Sequence, residues 1–364
     1  MNFINSKPKL LLSGLLIGGL AATLAFLGNP ANMALCIGCF LRDTAGSLHL
    51  HSAEAVQYFR PEIVGLVCGS FLISVFTKEY RSTAGSSPMI RFLLGFMMAI
   101  GALVFLGCPL RMVIRMAAGD LNAYVGLIGF IIGVTIGSFF LRKGFTLGRS
   151  YETHNTSGFI LPITLIVLFI LSITTSLFLS SESGPGSMHA PVPVSLIAAL
   201  IIGAIAQKNR MCFAGSIRDI IIMKDFSLIL IIAGLFVAML IYNILTGHFV
   251  LGFSGQPIAH SIHLWNMLGM FVTGFAAVLA GGCPMRQLIL AGQGSSDSAI
   301  TVIGMLLGGA MAHNFGLASA AAKAATDAEA AVAGGPSVAG KIAIILCILI
   351  LFVIAATQKR KKTA

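Results

Sequence analysis

Four short motifs hold the residues best able to do chemistry: Cys36-Ile37-Gly38-Cys39-Phe40-Leu41-Arg42-Asp43, Gly107-Cys108-Pro109-Leu110-Arg111, Cys212-Phe213-Ala214-Gly215-Ser216-Ile217-Arg218-Asp219 and Gly282-Cys283-Pro284-Met285-Arg286. Each sets a thiol a few residues ahead of a guanidinium. A thiol is a weak hydrogen-bond donor and, once ionised, a nucleophile, while an arginine beside it attracts anions. The motifs are paired: adding 175 carries Cys108, Pro109 and Arg111 onto Cys283, Pro284 and Arg286, and adding 176 carries Cys36, Arg42 and Asp43 onto Cys212, Arg218 and Asp219. The offset of 175 also relates Phe96 to Phe271, Gly119 to Gly294, Gly129 to Gly304 and Gly133 to Gly308. An internal repeat of this kind predicts two related halves.

After each Cys-Pro pair come apolar residues with an arginine, 110–118 and 285–291, and then Gly119 or Gly292 and Gly294. These are helices too short to cross a bilayer. Proline is favoured at the first helical position, which leaves Cys108 and Cys283 at the N-cap, where unpaired N–H groups favour an anion or a thiolate. The other two motifs read as short re-entrant helices as well. Neighbouring Arg and Asp do not face one another on a helix, so Arg42, Asp43, Arg218 and Asp219 are each expected to pair elsewhere. Cys39 falls opposite Gly215, which leaves a pathway role and plain packing evenly matched. Cys68 and Cys347 have no repeat partners and read as small buried hydrophobes. A lone Cys36-x-x-Cys39 lacks the second ligand pair of a zinc site, so no metal is expected. His49, His51, His248, His260 and His263 read as solvated or interfacial loop residues.

The elements that position these motifs lie in a membrane. Of the 364 residues 57% are hydrophobic and only 10% charged, and the mean hydropathy is +0.96, far from a soluble domain. A net charge of +11 comes without the aromatic-interleaved basic patch of a nucleic-acid binder, so nucleic acid is not an expected partner. Ten spans are expected, at 10–28, 61–77, 91–106, 121–141, 159–180, 192–206, 226–246, 265–281, 299–317 and 341–357. The first has the outline of a signal peptide. It is read as a span because its counterpart, 192–206, precedes Cys212 as it precedes Cys36. Gly129 with Gly133 and Gly304 with Gly308 are small-xxx-small pairs suited to close helix contact. Ser319–Gly340 reads as a mobile, Ala-rich linker, and Lys359, Arg360, Lys361 and Lys362 as a headgroup anchor.

With both termini in the cytoplasm, the basic residues gather on that side and only Arg42, Arg60, Arg111, Arg115, Lys323 and Lys341 lie outside. Five crossings then separate equivalent spans, and an odd number inverts the second half. The organisation expected is all-α: residues 1–150 as the first repeat, 151–185 as a connecting span, 186–318 as the inverted second repeat, and 319–364 as linker, last span and basic tail. Sites in such folds usually lie between the repeats, near the bilayer midplane.

At its motifs the chain resembles the YeeE/YedE family of bacterial inner-membrane proteins, which carry sulfur or selenium compounds. The resemblance is carried by NPANMALCIGCFLRD from Asn29, GALVFLGCPLRM from Gly101, GSMHAP from Gly186 and GGCPMRQLILAGQGSSDSAITVIGM from Gly281. It looks closest to the YedE-like branch associated with selenium metabolism. The resemblance implies an hourglass-shaped core in which buried loops present Cys36, Cys108 and Cys283 along a central route. Cys212 is a departure, a fourth cysteine where the thiosulfate relay has three. A cytosolic sulfur or selenium carrier protein is the partner it implies.

The function expected is transport of a small selenium compound, with thiosulfate or a related sulfur compound next, along Cys36, Cys39, Arg42, Cys108, Pro109, Arg111, Cys212, Arg218, Cys283, Pro284 and Arg286. No enzymatic activity and no cofactor are expected, and no phosphate loop G-x-x-x-x-G-K-[ST] occurs. Two alternatives share the cysteines. A thiol-disulfide carrier would pass electrons and needs cysteines close enough to bond; a membrane sulfurtransferase would hold a persulfide.

Overall fold

The apolar runs become helices throughout the computed structural model, which describes residues 7–30, 32–323 and 332–359. Among the described residues ten helices are long: α1 (Lys7–Phe26), α3 (Pro61–Phe76), α4 (Pro88–Phe105), α6 (Leu121–Arg142), α7 (Asn155–Thr174), α8 (Val192–Lys208), α10 (Ile229–Leu245), α11 (His263–Leu279), α13 (Ser296–Asn314) and α14 (Val338–Thr357). Four are short: α2 (Ile37–Ser47), α5 (Pro109–Ala117), α9 (Phe213–Met223) and α12 (Pro284–Gly292). Among the described residues eight stretches are helical, long and apolar enough to cross a membrane. The other two expected spans are α10, apolar but only 17 residues long, and α13, whose first turn holds Ser296, Asp297 and Ser298. The chain is a mostly helical, multi-pass membrane protein.

The long helices pack as exchanged pairs. Helix α1 lies on α10 and α3 on α8, while α4 lies on α13 and α6 on α11. Glycines in each pair let the backbones meet. A Cβ added to Gly14 would come within 2.0 Å of Ile231 O, to Gly69 within 2.0 Å of Leu200 O, to Gly129 within 1.9 Å of Met267 O, and to Gly304 within 2.2 Å of Phe92 O. Packing of this closeness replaces the hydrophobic drive that lipid cannot supply. The short helices repeat to the residue: α9 starts and ends 176 positions after α2, and α12 begins 175 after α5.

Two turns are clasped across these pairs. The N–H groups of Val250 and Gly252 bond the carbonyls of Ala118 and Gly119 at 2.9 and 3.1 Å, and those of Arg81 and Thr83 bond Gln293 and Gly294, each at 3.2 Å. Both turns need a left-handed residue, which glycine adopts without strain: φ is +87° at Gly119 and +110° at Gly294.

Two expectations about chain path are corrected. The fifth apolar run does not stay helical to residue 180, because α7 ends at Thr174 and Thr175 is extended. Beyond it Leu179 N–H bonds Ser47 O at 3.0 Å, Ser181 N–H bonds Gln57 O at 2.7 Å, and Phe178 meets Phe59 edge-on at 5.4 Å. Its last apolar residues thus serve tertiary contacts. The linker expected to be mobile is tied down where it is described: Ser319 Oγ bonds Val104 O at 2.7 Å, Ala322 N–H bonds Ala259 O at 2.7 Å, and Lys323 exchanges backbone bonds with Val332. Residues 324–331 and the tail residues Arg360, Lys361 and Lys362 lie outside the described part.

Candidate functional site: two buried cysteine clusters

Cys36, Cys108, Cys212 and Cys283 are each the N-cap of a short helix, α2, α5, α9 and α12 respectively. Pro109 and Pro284 occupy the first helical turn of α5 and α12, as a residue without an N–H can. In α2 and α9 the thiol does the capping itself. Cys36 Sγ accepts from Cys39 N–H at 3.4 Å and Cys212 Sγ from Gly215 N–H at 3.2 Å.

These caps gather into two clusters. In the first, Cys36 Sγ stands 3.0 Å from Cys39 Sγ and 3.9 Å from Cys108 Sγ. Cys39 is therefore placed beside the two motif cysteines rather than in general packing. In the second, Cys283 donates its N–H to Cys212 Sγ at 3.5 Å. All seven cysteines are free and buried, but Cys68 on α3 and Cys347 on α14 have no sulfur contact of this kind.

Each cluster has an arginine. Arg111 is fully buried; its Nη1 points at Cys39 Sγ, 3.5 Å away, and its other donors reach Asn32 Oδ1 at 2.9 Å, Asn32 O at 3.2 Å and Ile258 O at 3.1 Å. Arg286, partly buried, stands three residues after the cap Cys283 on α12 and donates to Gln207 Oε1 at 3.3 Å. Among the described residues no carboxylate pairs with either. Burying a cation without an anion is costly. Both positions therefore favour an incoming anion.

The neighbouring charges pair differently from expectation. Arg42 turns back on its own neighbour, with Nη2 2.6 Å from Asp43 Oδ1, and Arg218 does the same to Asp219 at 2.8 Å. The helical rule concerns short side chains leaving the backbone in different directions, whereas a long guanidinium can fold along the surface. Asp43 does also find a second partner, Arg60, at 2.7 Å. Arg60 in turn donates to Pro185 O at 2.9 Å and Met188 O at 3.2 Å, so the GSMHAP segment is part of a clamp on the end of α2. Arg115 is held by Asp120 at 2.7 Å and lies over Phe105 at 4.3 Å. Two loop histidines are likewise not solvated: His51 is buried against Arg42 O at 3.0 Å, and His260 against Val104 O at 2.9 Å.

The two clusters differ in enclosure. The side chain of Arg42 is 5% exposed and that of its counterpart Arg218 32%. An apolar cleft of about 350 Å³ between α7 and its neighbours, lined by Leu41, Ile63, Leu161 and Leu306 among others, contains none of the cysteines. Asn32 and Gln207, which orient the two arginines, were not singled out in the sequence. A signal was present, since they are themselves 175 residues apart.

Helical crossings around short, buried, cysteine-capped helices define a multi-pass membrane protein, and parts of its sequence are similar to known proteins. Residues 208–364 match a family model described as Sulphur transport. Over 100 residues, 27% of this chain, the sequence is 29% identical to the thiosulfate transporter TsuA of Spirochaeta thermophila. That match spans 29% of the relative's length.

Proposed function

We propose that this chain is a transporter of the inner membrane that admits a small sulfur- or selenium-containing anion and passes it between the two cysteine clusters. The observation that carries this reading is the pair of arginines, Arg111 and Arg286, each in the first turns of a cysteine-capped helix and, among the described residues, without a carboxylate. Guanidinium, backbone N–H groups and thiols together suit an anion with a soft, polarisable chalcogen. The partial match to sulphur transport and the short stretch shared with a thiosulfate transporter support the substrate class. Selenium is the finer reading and rests on the resemblance of the motifs to the YedE-like branch. Pro109 and Pro284 set the caps, and Arg42 and Arg218 line the approaches.

The exchanged packing of α1 with α10, α3 with α8, α4 with α13 and α6 with α11 supports two inverted repeats, with the four short helices entering from opposite faces. Ten crossings with both termini cytoplasmic fit the charges. Of the basic residues assigned outside, Arg42, Arg60, Arg111 and Arg115 are buried in protein, which leaves that surface poorer still in positive charge. In this orientation the half-buried Arg218 faces the cytoplasm, where a sulfur or selenium carrier protein would receive the substrate.

Only the first half has a cysteine three residues after its cap; Gly215 stands at that place in the second. This asymmetry supports transport over electron exchange, which would need a closable pair in each half. The test is uptake of radiolabelled selenite, other small selenium anions and thiosulfate by cells in which this protein is the sole importer. Uptake no higher than in cells with an empty vector, for every compound, would overturn the reading.

A further inference from the structure

The shortest sulfur contact has no counterpart in the second cluster. Cys36 and Cys39 lie 3.0 Å apart at the N-cap and third residue of α2, whereas position 215 is a glycine. A Cβ there would sit 3.0 Å from Cys212 Cβ and 3.2 Å from its Sγ, so the second half leaves bare the side of its cap where the first half puts a second thiol. Relay by hydrogen bonding requires no such pair. Closing Cys36 and Cys39 into a disulfide needs their sulfurs to move from 3.0 Å to about 2.05 Å, with a Cα separation that one helical turn supplies.

We propose that Cys36 and Cys39 are an oxidation site, closed to a disulfide by peroxide and reopened by thiols, which shuts the first cluster. The chemistry balances. Peroxide takes one thiol to a sulfenic acid and leaves water; the second thiol displaces the sulfenic oxygen as another water, forming the S–S bond. A dithiol reverses it by exchange, giving up the electron pair and becoming a disulfide itself. Peroxide is uncharged and small, so it enters packed protein within a membrane at less cost than a charged or bulky oxidant. The bond removes the thiol that Arg111 meets at 3.5 Å and both donors on the first helix. Inhibition of transport rests on the proposed function, but disulfide formation does not.

The protein is treated in membrane vesicles with hydrogen peroxide, its free thiols are alkylated, and digested peptides are read by mass spectrometry. The expected result is a peroxide-dependent, dithiothreitol-reversible link between Cys36 and Cys39, absent in Cys39→Ser and Cys39→Gly. In the same vesicles uptake by the wild type falls several-fold and recovers with dithiothreitol. Each variant, compared with its own untreated rate, changes little. Thiols that stay fully free in treated wild type, a link from Cys36 to Cys108 instead, or equal inhibition of wild type and a folded Cys39 variant would each overturn the proposal. If the link forms while no compound is taken up in any state, the oxidation site stands and the transport reading fails.

Discussion

Arg111 donates to Asn32 Oδ1 at 2.9 Å, and the relationship recurs 175 residues later, where Arg286 donates to Gln207 Oε1. An amide oxygen orients a guanidinium without neutralising it. Arg111 therefore keeps its charge beside Cys39, and Arg286 keeps its own on the helix that Cys283 caps, where a carboxylate in place of either amide would have cancelled it.

Arg111→Gln is expected to reduce uptake by about 10- to 100-fold, the equivalent of one charged hydrogen bond of roughly 1.5–3 kcal/mol. Arg111→Lys keeps the charge but cannot hold Asn32 and Cys39 together, and is expected to fall between. Initial uptake rates at matched membrane expression measure this. A glutamine variant as active as the wild type would remove the anion site.

At Cys108 and Cys283, serine should be tolerated better than alanine, because it keeps a small donor at the helix N-cap. Cys68→Ala and Cys347→Ala should transport close to wild type. Serine and alanine abolishing uptake equally at both sites would argue for obligate covalent chemistry.

Asp43 accepts from both Arg42 and Arg60. Asp43→Asn leaves two buried cations short of a counter-charge and is expected to destabilise the fold by roughly 3–5 kcal/mol, seen as a lowered Tm in detergent. No change in Tm would mean that the clamp on α2 is dispensable.

Gly129→Ala and Gly304→Ala push a methyl into facing backbone and should each cost at least about 1–3 kcal/mol. Gly19→Ala, on a face with nothing within 4 Å, should be neutral or slightly stabilising. Thermal unfolding of the three side by side separates close packing from a general effect on helices.

Reporter fusions at Thr146 and Gly186 are expected in opposite compartments, the first cytoplasmic. Identical compartments would break the inverted arrangement.

Much of this was legible in the sequence because membrane helices and repeats leave strong marks. The cap positions of Cys108 and Cys283 followed from the proline after each, and the glycine contacts from spacing. What was not legible depends on reach and on distant partners. The turn of Arg42 onto Asp43 depends on a flexible side chain, and the burial of His51 and His260 on carbonyls far away in the chain. The early end of α7 was hidden because Leu177–Leu179 is as apolar as the span before it, yet is used against Ser47 and Phe59.

The exchanged helix pairs also constrain how the molecule is made. Helix α1 finds its partner in α10 and α3 in α8, so during synthesis the early helices enter the bilayer long before the surfaces they fit have been translated. Until then the contact faces at Gly14 and Gly69 meet lipid. The clasps at Ala118–Gly119 and Gln293–Gly294 cannot close until Gly252 and Gly294, respectively, have emerged. Assembly is thus a late event in translation, and a ribosome that stalls within α8 would leave a set of inserted but unmatched helices for the cell's quality control to find.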